Sequence, residues 1–300
     1  SRGLGDVYKR QLNISMLKPY AAICGITQEE MQEQMTAYIE WLAVSQEMSK
    51  EETLQKLKEK YDGYHFTWPS PDIYNPFSLL NALERKKIDN YWFGSGTPTY
   101  LVEMLRKFHV LPSEVGHSMQ AMASDFDAPT EKMESIVPLL YQSGYLTIKG
   151  YDEEFGMYRL GFPNREVEEG VVRFLLPFYA NVNKVESPFE IQKFVREVRS
   201  GDYDSFFRRL QSFFADTTYE VIREQELHYE NVLFIVFKLV GFYTQVEYHT
   251  SKGRIDLVLQ TDKFIYVIEF KLDGTAEEAL QQIHDKHYAL PFASDGRKLF

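Results

Sequence analysis

The sequence predicts an α+β protein of two modules, the first mainly helical and the second an α/β core. Three patterns predict it. Apolar residues recur at helical spacing between Thr27 and Phe108. A helix, two strand-like runs around a polar turn and a further helix follow between residues 131 and 177. From residue 220 a long apolar helix leads into three strand-like runs and one more helix.

The elements follow in order. Residues 1–11 carry no period and read as a non-native start. Thr27 with Glu30, and Ser49 with Glu52, are capping-box pairs that open two helices. The first presents Met31, Met35, Tyr38, Ile39 and Leu42 at helical spacing, the second Leu54 and Leu57. An aromatic loop, Tyr61-Asp62-Gly63-Tyr64-His65-Phe66, and a Pro-rich stretch to Pro76 precede a short helix at Ser78–Leu83. Its Tyr64 and His65 are expected to pack between helices. Thr97 as N-cap and Pro98 in the first turn start a helix through Phe108. Met133–Leu140 reads as helix, Leu146–Gly150 and Met157–Leu160 as strands, and Asn164 starts a helix, which together make a winged-helix pattern at about 131–177. Residues 178–219 read as a helical connector anchored by Phe189, Phe194, Phe206, Phe207, Phe213 and Phe214. The 220–241 helix stops at Gly241. Strand-like runs follow at Phe242–Tyr248, Arg254–Gln260 and Phe264–Leu272. The last residues, Arg297 to Phe300, are strand-like, and the chain is expected to be a fragment of a longer protein.

Composition narrows the function. With 44% hydrophobic, 26% charged and 15% aromatic residues, the chain is a folded globular one, not a disordered or collagen-like one. Its single cysteine, Cys24, forms no intramolecular bridge, so a reducing, cytoplasmic setting is expected; no motif surrounds it and it reads as a buried hydrophobe. No apolar run reaches the roughly 18 residues of a membrane span, so no membrane partner is expected. Thirty-three basic against 44 acidic residues give a net charge of −11, which excludes a uniformly basic coat but not a local basic groove.

The chemistry lies in the second module. If Asp262-Lys263 is a two-residue turn, Thr261 faces Phe264, and counting back sets Asp256 opposite Glu269. Ile255, Leu257 and Leu259 then share one face. Asp256, Glu269 and Lys271 converge on the other, among Val258, Ile265 and Val267. Two opposed carboxylates repel, and a half-buried pair needs a proton, a cation or strong donors. A hard divalent cation satisfies both and frees the lysine, which is the arrangement of metal-assisted phosphodiester hydrolysis. Glu226 or Glu230 on the preceding helix, and Gln281 or Gln282 on the following one, are candidates to complete the shell.

Gly253-Arg254-Ile255-Asp256, Ile268-Glu269-Phe270-Lys271 and Glu278-Ala279-Leu280-Gln281-Gln282-Ile283 resemble the PD-(D/E)XK nuclease superfamily. Upstream, Tyr61–Phe66, Tyr74–Leu80, Tyr91-Trp92-Phe93, Ser95–Tyr100 and Tyr158–Asn164 resemble a bacterial family in which an AAA-ATPase-like domain is fused to such a nuclease-like domain. The resemblance covers roughly residues 12–300 and implies a division: 12–177 the C-terminal part of the ATPase-like domain, ending in the winged helix; 178–219 the connector; 220–300 a truncated nuclease-like domain. It implies Asp256 and Glu269 as metal-binding acids and Lys271 as the motif lysine. It favours Glu226, because the family carries an aromatic three residues later, here Tyr229, and it favours Gln282 over Gln281. No G-x-x-x-x-G-K-[ST] loop occurs, so the ATP-binding core is expected in the missing N-terminal part and ATPase activity is not expected of these residues.

The expected function is therefore a Mg²⁺- or Mn²⁺-dependent nuclease acting on DNA or RNA, with DNA favoured, as effector of an ATPase-like protein whose missing core is its partner in cis. Two alternatives stay open: a catalytically silent nucleic-acid-binding or protein-interaction module, and a scaffold for the absent core. Asp256, Glu269 and Lys271 as a plain surface salt-bridge ladder is the bland reading. The winged-helix segment is acidic at Asp152, Glu153, Glu154, Glu166, Glu168 and Glu169, which favours packing over DNA contact. Lys252, Arg254 and Lys271 are the nearest candidates for a positive groove.

Overall fold

A computed structural model describes residues 14, 16–95, 99–117, 119–126, 134–180, 182–183, 185–214, 222–251, 254–271 and 274–300. The expected non-native start, the Thr97-Pro98 helix start and Met133 lie outside them. The chain divides into two compact units, residues 1–110 with 114–170, and residues 111–113 with 171–300.

In the first unit, strand β1 (Ile26–Thr27) leads into helices α1 (Gln28–Gln34), α2 (Thr36–Ser45) and α3 (Lys50–Tyr61). Both predicted capping boxes form, each side chain accepting from one orphan N–H at the helix start. Strand β2 (Ile73–Tyr74) pairs antiparallel with β1. Helix α4 (Pro76–Arg85) is longer than its sequence signal, because Asn75 caps it at Ser78 N–H and Pro76 fits the first turn. Helix α5 covers Thr99–Lys107. Met31, Ile39, Leu42, Leu57, Tyr61, Tyr74 and Leu79 form one buried cluster; full burial of such a side chain contributes about 1.5–3 kcal/mol. Cys24 departs from the sequence expectation: it is exposed, in the turn at residues 21–24, where Ala21 is the residue turned inward.

Strand β3 (Gln120–Ala121), helix α6 (Val137–Gln142), strands β4 (Thr147–Asp152) and β5 (Met157–Gly161) and helix α7 (Arg165–Tyr179) follow. The sheet order is β3-β5-β4. Helix α6 starts at Val137 because Pro138, with no N–H to donate, is tolerated only in a first turn. The aromatic loop buries Tyr64 and His65, but against strands rather than between helices: Tyr64 bridges to Ile73 of β2, and His65 N–H donates to Thr147 Oγ1 of β4. Gly63 takes φ +99°, and a Cβ there would stand 2.4 Å from the Pro163 carbonyl oxygen. Lys149 bridges the same place, its Nζ donating to Gly63 O at 2.9 Å and Pro163 O at 3.0 Å. Asp62 is buried beside it, and burial pushes its carboxyl up to about 6. His65 Nε2 meets Asp72 Oδ1 at 2.9 Å, yet burial outweighs that carboxylate and lowers the imidazole below its ordinary value. Glu166 is fully buried and accepts the backbone N–H of Tyr91 and of Trp92; burial raises its carboxyl.

The second unit carries helices α8 (Ser187–Ser200), α9 (Tyr203–Phe213) and α10 (Ile222–Gly241), strands β6 (Gln245–Ser251), β7 (Arg254–Gln260) and β8 (Phe264–Lys271), helix α11 (Ala276–Asp285) and strand β9 (Lys298–Leu299). The sheet order is β6-β7-β8-β9, antiparallel except for the parallel pair β8 and β9. Helix α10 buries Val232, Ile235, Val236, Phe237, Leu239 and Val240, and ends at Gly241 as its sequence predicts. Helices α8 and α9, which the sequence sets apart as a connector, pack within this unit. Phe194 lies 5.2 Å from both Phe206 and Phe213, and Phe237 lies 6.1 Å from Phe206 and 5.9 Å from Phe270. The Tyr266 hydroxyl on β8 donates to Val198 O on α8 at 2.7 Å. Phe189 is not an anchor: it is 61% exposed, because five residues before Phe194 is about 140° around the helix from the buried face.

Candidate functional site

The site is built by the β7–β8 hairpin. Thr261 N–H donates to Phe264 O at 2.8 Å and Thr261 Oγ1 accepts Phe264 N–H at 2.9 Å, which closes a two-residue loop at Asp262 and Lys263. Alternation is then fixed from the loop outward. Asp256 pairs with Glu269, Val258 with Val267 and Arg254 with Lys271, the register predicted from the turn count.

One face of this hairpin is core. Leu257 and Leu259 are buried at 1% or less. The face of Asp256 and Glu269 is only partly covered: Ile265 is buried, whereas Val258 and Val267 are half-buried. Glu269 is half-buried as a residue, but both its carboxylate oxygens are shielded from solvent. Lys271 lies two residues along the same face and donates from Nζ to Glu278 O at 3.3 Å. Thr275 caps α11 in a full capping box with Glu278, so the helix start beside β8 is fixed by local bonds.

Other predicted members fall on the elements expected of them. Gln281 Nε2 donates to Asp285 Oδ1 at 2.8 Å on the exposed side of α11. Gln282 is half-buried, three residues after the buried Ala279 and one turn after Glu278. Glu226 and Glu230 both lie on α10, and Glu230 is half-buried. The side chains of Glu226, Asp256 and Arg254, and Lys252 as a whole, lie outside the described residues. Among the described residues, no three His, Cys, Asp or Glu side chains are grouped as metal ligands. The residue types nonetheless fit a hard divalent cation: two carboxylate residues are paired across neighbouring strands, and the Glu269 oxygens are out of solvent. Sequence reasoning missed a cavity lined by Arg173, Arg196 and Arg199; its only sequence signal is the three-residue spacing of the last two.

Comparison with known proteins agrees with this end of the chain. Residues 224–300 match the family model of the PD-(D/E)XK nuclease superfamily. A curated relative from Azotobacter chroococcum mcd 1, named "Uncharacterized protein in vnfD 5'region", is 28% identical over 303 residues, covering 96% of this chain and 55% of that protein. The chain thus spans about half the length of that relative. No solved structure matches it. No helix among the described residues is long and apolar enough to cross a membrane.

Proposed function

We propose that the second unit hydrolyses phosphodiester bonds of nucleic acid, DNA before RNA, with a divalent metal. The observation that carries this is the β7–β8 register, which sets Asp256 opposite Glu269 with Lys271 on the same face, and it is supported by the match of these residues to the nuclease-superfamily model. Asp256 and Glu269 would hold Mg²⁺ or Mn²⁺, and Glu226 and Gln282 would border it from α10 and α11. When bound, the metal supplies an activated water and neutralises charge on the phosphate. Lys271 orients the attacking water or stabilises the charge that develops on the phosphoryl oxygens. Glu269, shielded from solvent, binds with little hydration to lose.

The first unit is, in this reading, the C-terminal part of an ATPase-like domain. Helix α6, hairpin β4–β5 and helix α7, whose residues from Val171 on fall in the second unit, would be the winged helix, and the ATP-binding core, with no phosphate-loop motif in this chain, its partner in cis within a cytoplasmic protein. The acids Glu166 and Glu169 of that segment are buried, which supports packing rather than DNA contact. A catalytically silent binding module is the second reading, favoured by the Lys271 bond to Glu278 O, which engages the ammonium away from the acids.

The test is Mn²⁺ titration calorimetry with a parallel cleavage assay on single- and double-stranded DNA and RNA. The proposal expects binding and cleavage in the wild type and loss of both in Asp256→Asn/Glu269→Gln. Metal binding without cleavage of any substrate selects the silent module. No metal binding in the wild type overturns the metal site.

A further inference from the structure

A cavity of about 430 Å³ lies on the second unit between α8, α7 and the turn after α10. Arg173, Arg196, Arg199, Gln192, Phe189 and Tyr243 line it over an apolar floor, and among the described residues no Asp or Glu lines it. In a chain of net charge −11, three guanidiniums in one concavity are a local reversal of sign. Arg196 and Arg199 are three apart on α8, a spacing at which like charges repel. Two acids of the same helix, Glu190 and Glu197, are bound by Arg209 on α9. Arg196 is exposed and forms no ion pair with a described residue.

The aromatic groups complete the pattern. Arg173 donates to the Tyr243 hydroxyl and lies over its ring, 5.9 Å from the centroid. Arg199 donates to the Tyr243 carbonyl. Tyr243 is 40% and Phe189 61% exposed, so both rings are open to solvent beside the arginines. Planar guanidinium forks match phosphate oxygens in pairs, and exposed rings stack bases; single-stranded nucleic acid is bound by this combination. The volume suits one small ligand unit rather than a whole duplex.

The cavity is separate from the acid pair. Tyr243 precedes β6, whose first residue Gln245 pairs with Gln260 at the loop end of the hairpin. Asp256 is four residues back along β7, about 13 Å away at 3.3 Å per residue. We infer that this cavity is an anchoring site for a single-stranded nucleic-acid end, with Arg196 and Arg199 on its phosphodiester backbone and Phe189 and Tyr243 against its bases. This rests on the nucleic-acid reading above and gives it a second contact point remote from the metal.

The experiment is fluorescence anisotropy of the whole chain with a short dye-labelled oligodeoxythymidine in EDTA, with an unlabelled mononucleotide as competitor. EDTA removes any contribution of a metal at the acid pair. Arg196→Glu should weaken binding about tenfold or more and reduce the salt dependence by about one phosphate contact. Phe189→Ala should weaken it about tenfold with the salt slope unchanged. Both residues are exposed, and circular dichroism checks that the variants fold. Binding by wild type that neither variant reduces overturns the inference, as does absence of strand binding. Mononucleotide competition at equal affinity overturns the strand as occupant. Strand binding in EDTA that both variants reduce, with no cleavage on adding Mn²⁺, upholds the anchoring site while overturning the nuclease reading.

Discussion

The Lys271 ammonium on β8 donates to the Glu278 carbonyl in the first turn of α11, 3.3 Å away. One side chain thereby ties the sheet that presents the acids to the helix that presents Gln282. Its replacement separates two roles. In Lys271→Met, turnover should fall about 10²–10³-fold if the ammonium acts on the phosphoryl group, while Mn²⁺ affinity in calorimetry stays close to wild type. Loss of Mn²⁺ affinity in that variant would make Lys271 a positioning residue for the carboxylates.

Glu166 supports a different junction. It is fully buried, and its Oε1 takes the N–H groups of Tyr91 and Trp92. Glu166→Ala leaves two inward-facing donors unpaired and should cost about 2–4 kcal/mol in urea denaturation. Glu166→Gln keeps an acceptor oxygen of the same shape and should cost much less. Equal losses in the two variants would refute the acceptor role.

Asp62 makes a pH-dependent prediction. Burial raises its carboxyl from 3.8 to about 6 in the folded chain, so the native state holds this proton more tightly than the unfolded state does. Stability from this group is therefore present below the unfolded value and is lost as pH rises between about 4 and 6. Asp62→Asn removes the titration. At pH 7 it should be more stable than wild type by about 3 kcal/mol, and most of the difference should vanish near pH 4. His65, lowered by burial, loses stability in the opposite direction as pH falls, but that contribution is common to both proteins and cancels in the difference. Urea midpoints measured across the window check it; a pH-independent difference would refute it.

Tyr266 tests the packing of α8 on the sheet. Its hydroxyl donates to Val198 O, and burial pushes it up to about 12. Tyr266→Phe keeps the ring stacked on Phe300 at 5.1 Å but deprives a buried carbonyl of its donor. The expected loss is about 1–2 kcal/mol, read as a shift in the second unit's unfolding transition. No loss would mean that ring packing alone sets the contact.

Features fixed by neighbouring residues were legible in the sequence. The Thr27 and Ser49 capping boxes are contacts three residues long, and the Asp256–Glu269 opposition follows from counting outward from a two-residue turn. Features fixed by distant parts of the chain were not. Cys24 and Phe189 are apolar enough for a core, but the stretches they occupy turn other side chains inward, Ala21 in one case and Phe194 in the other. The arginine cavity draws Arg173 from α7, Arg196 and Arg199 from α8 and Tyr243 from the turn before β6. No periodicity links three such segments, so only the fold reveals their shared charge.

The two-residue loop of the hairpin makes chain length itself part of the site. Asp262 and Lys263 are exposed, so most substitutions there leave the strands untouched. Their number is another matter. Because side chains alternate faces at every residue, one residue inserted and absorbed as a one-step slip of β8 would carry Glu269, Val267 and Ile265 to the side now occupied by Ile268 and Phe270. Variation among natural homologues should accordingly be free in letter and closed to insertions and deletions between Thr261 and Phe264.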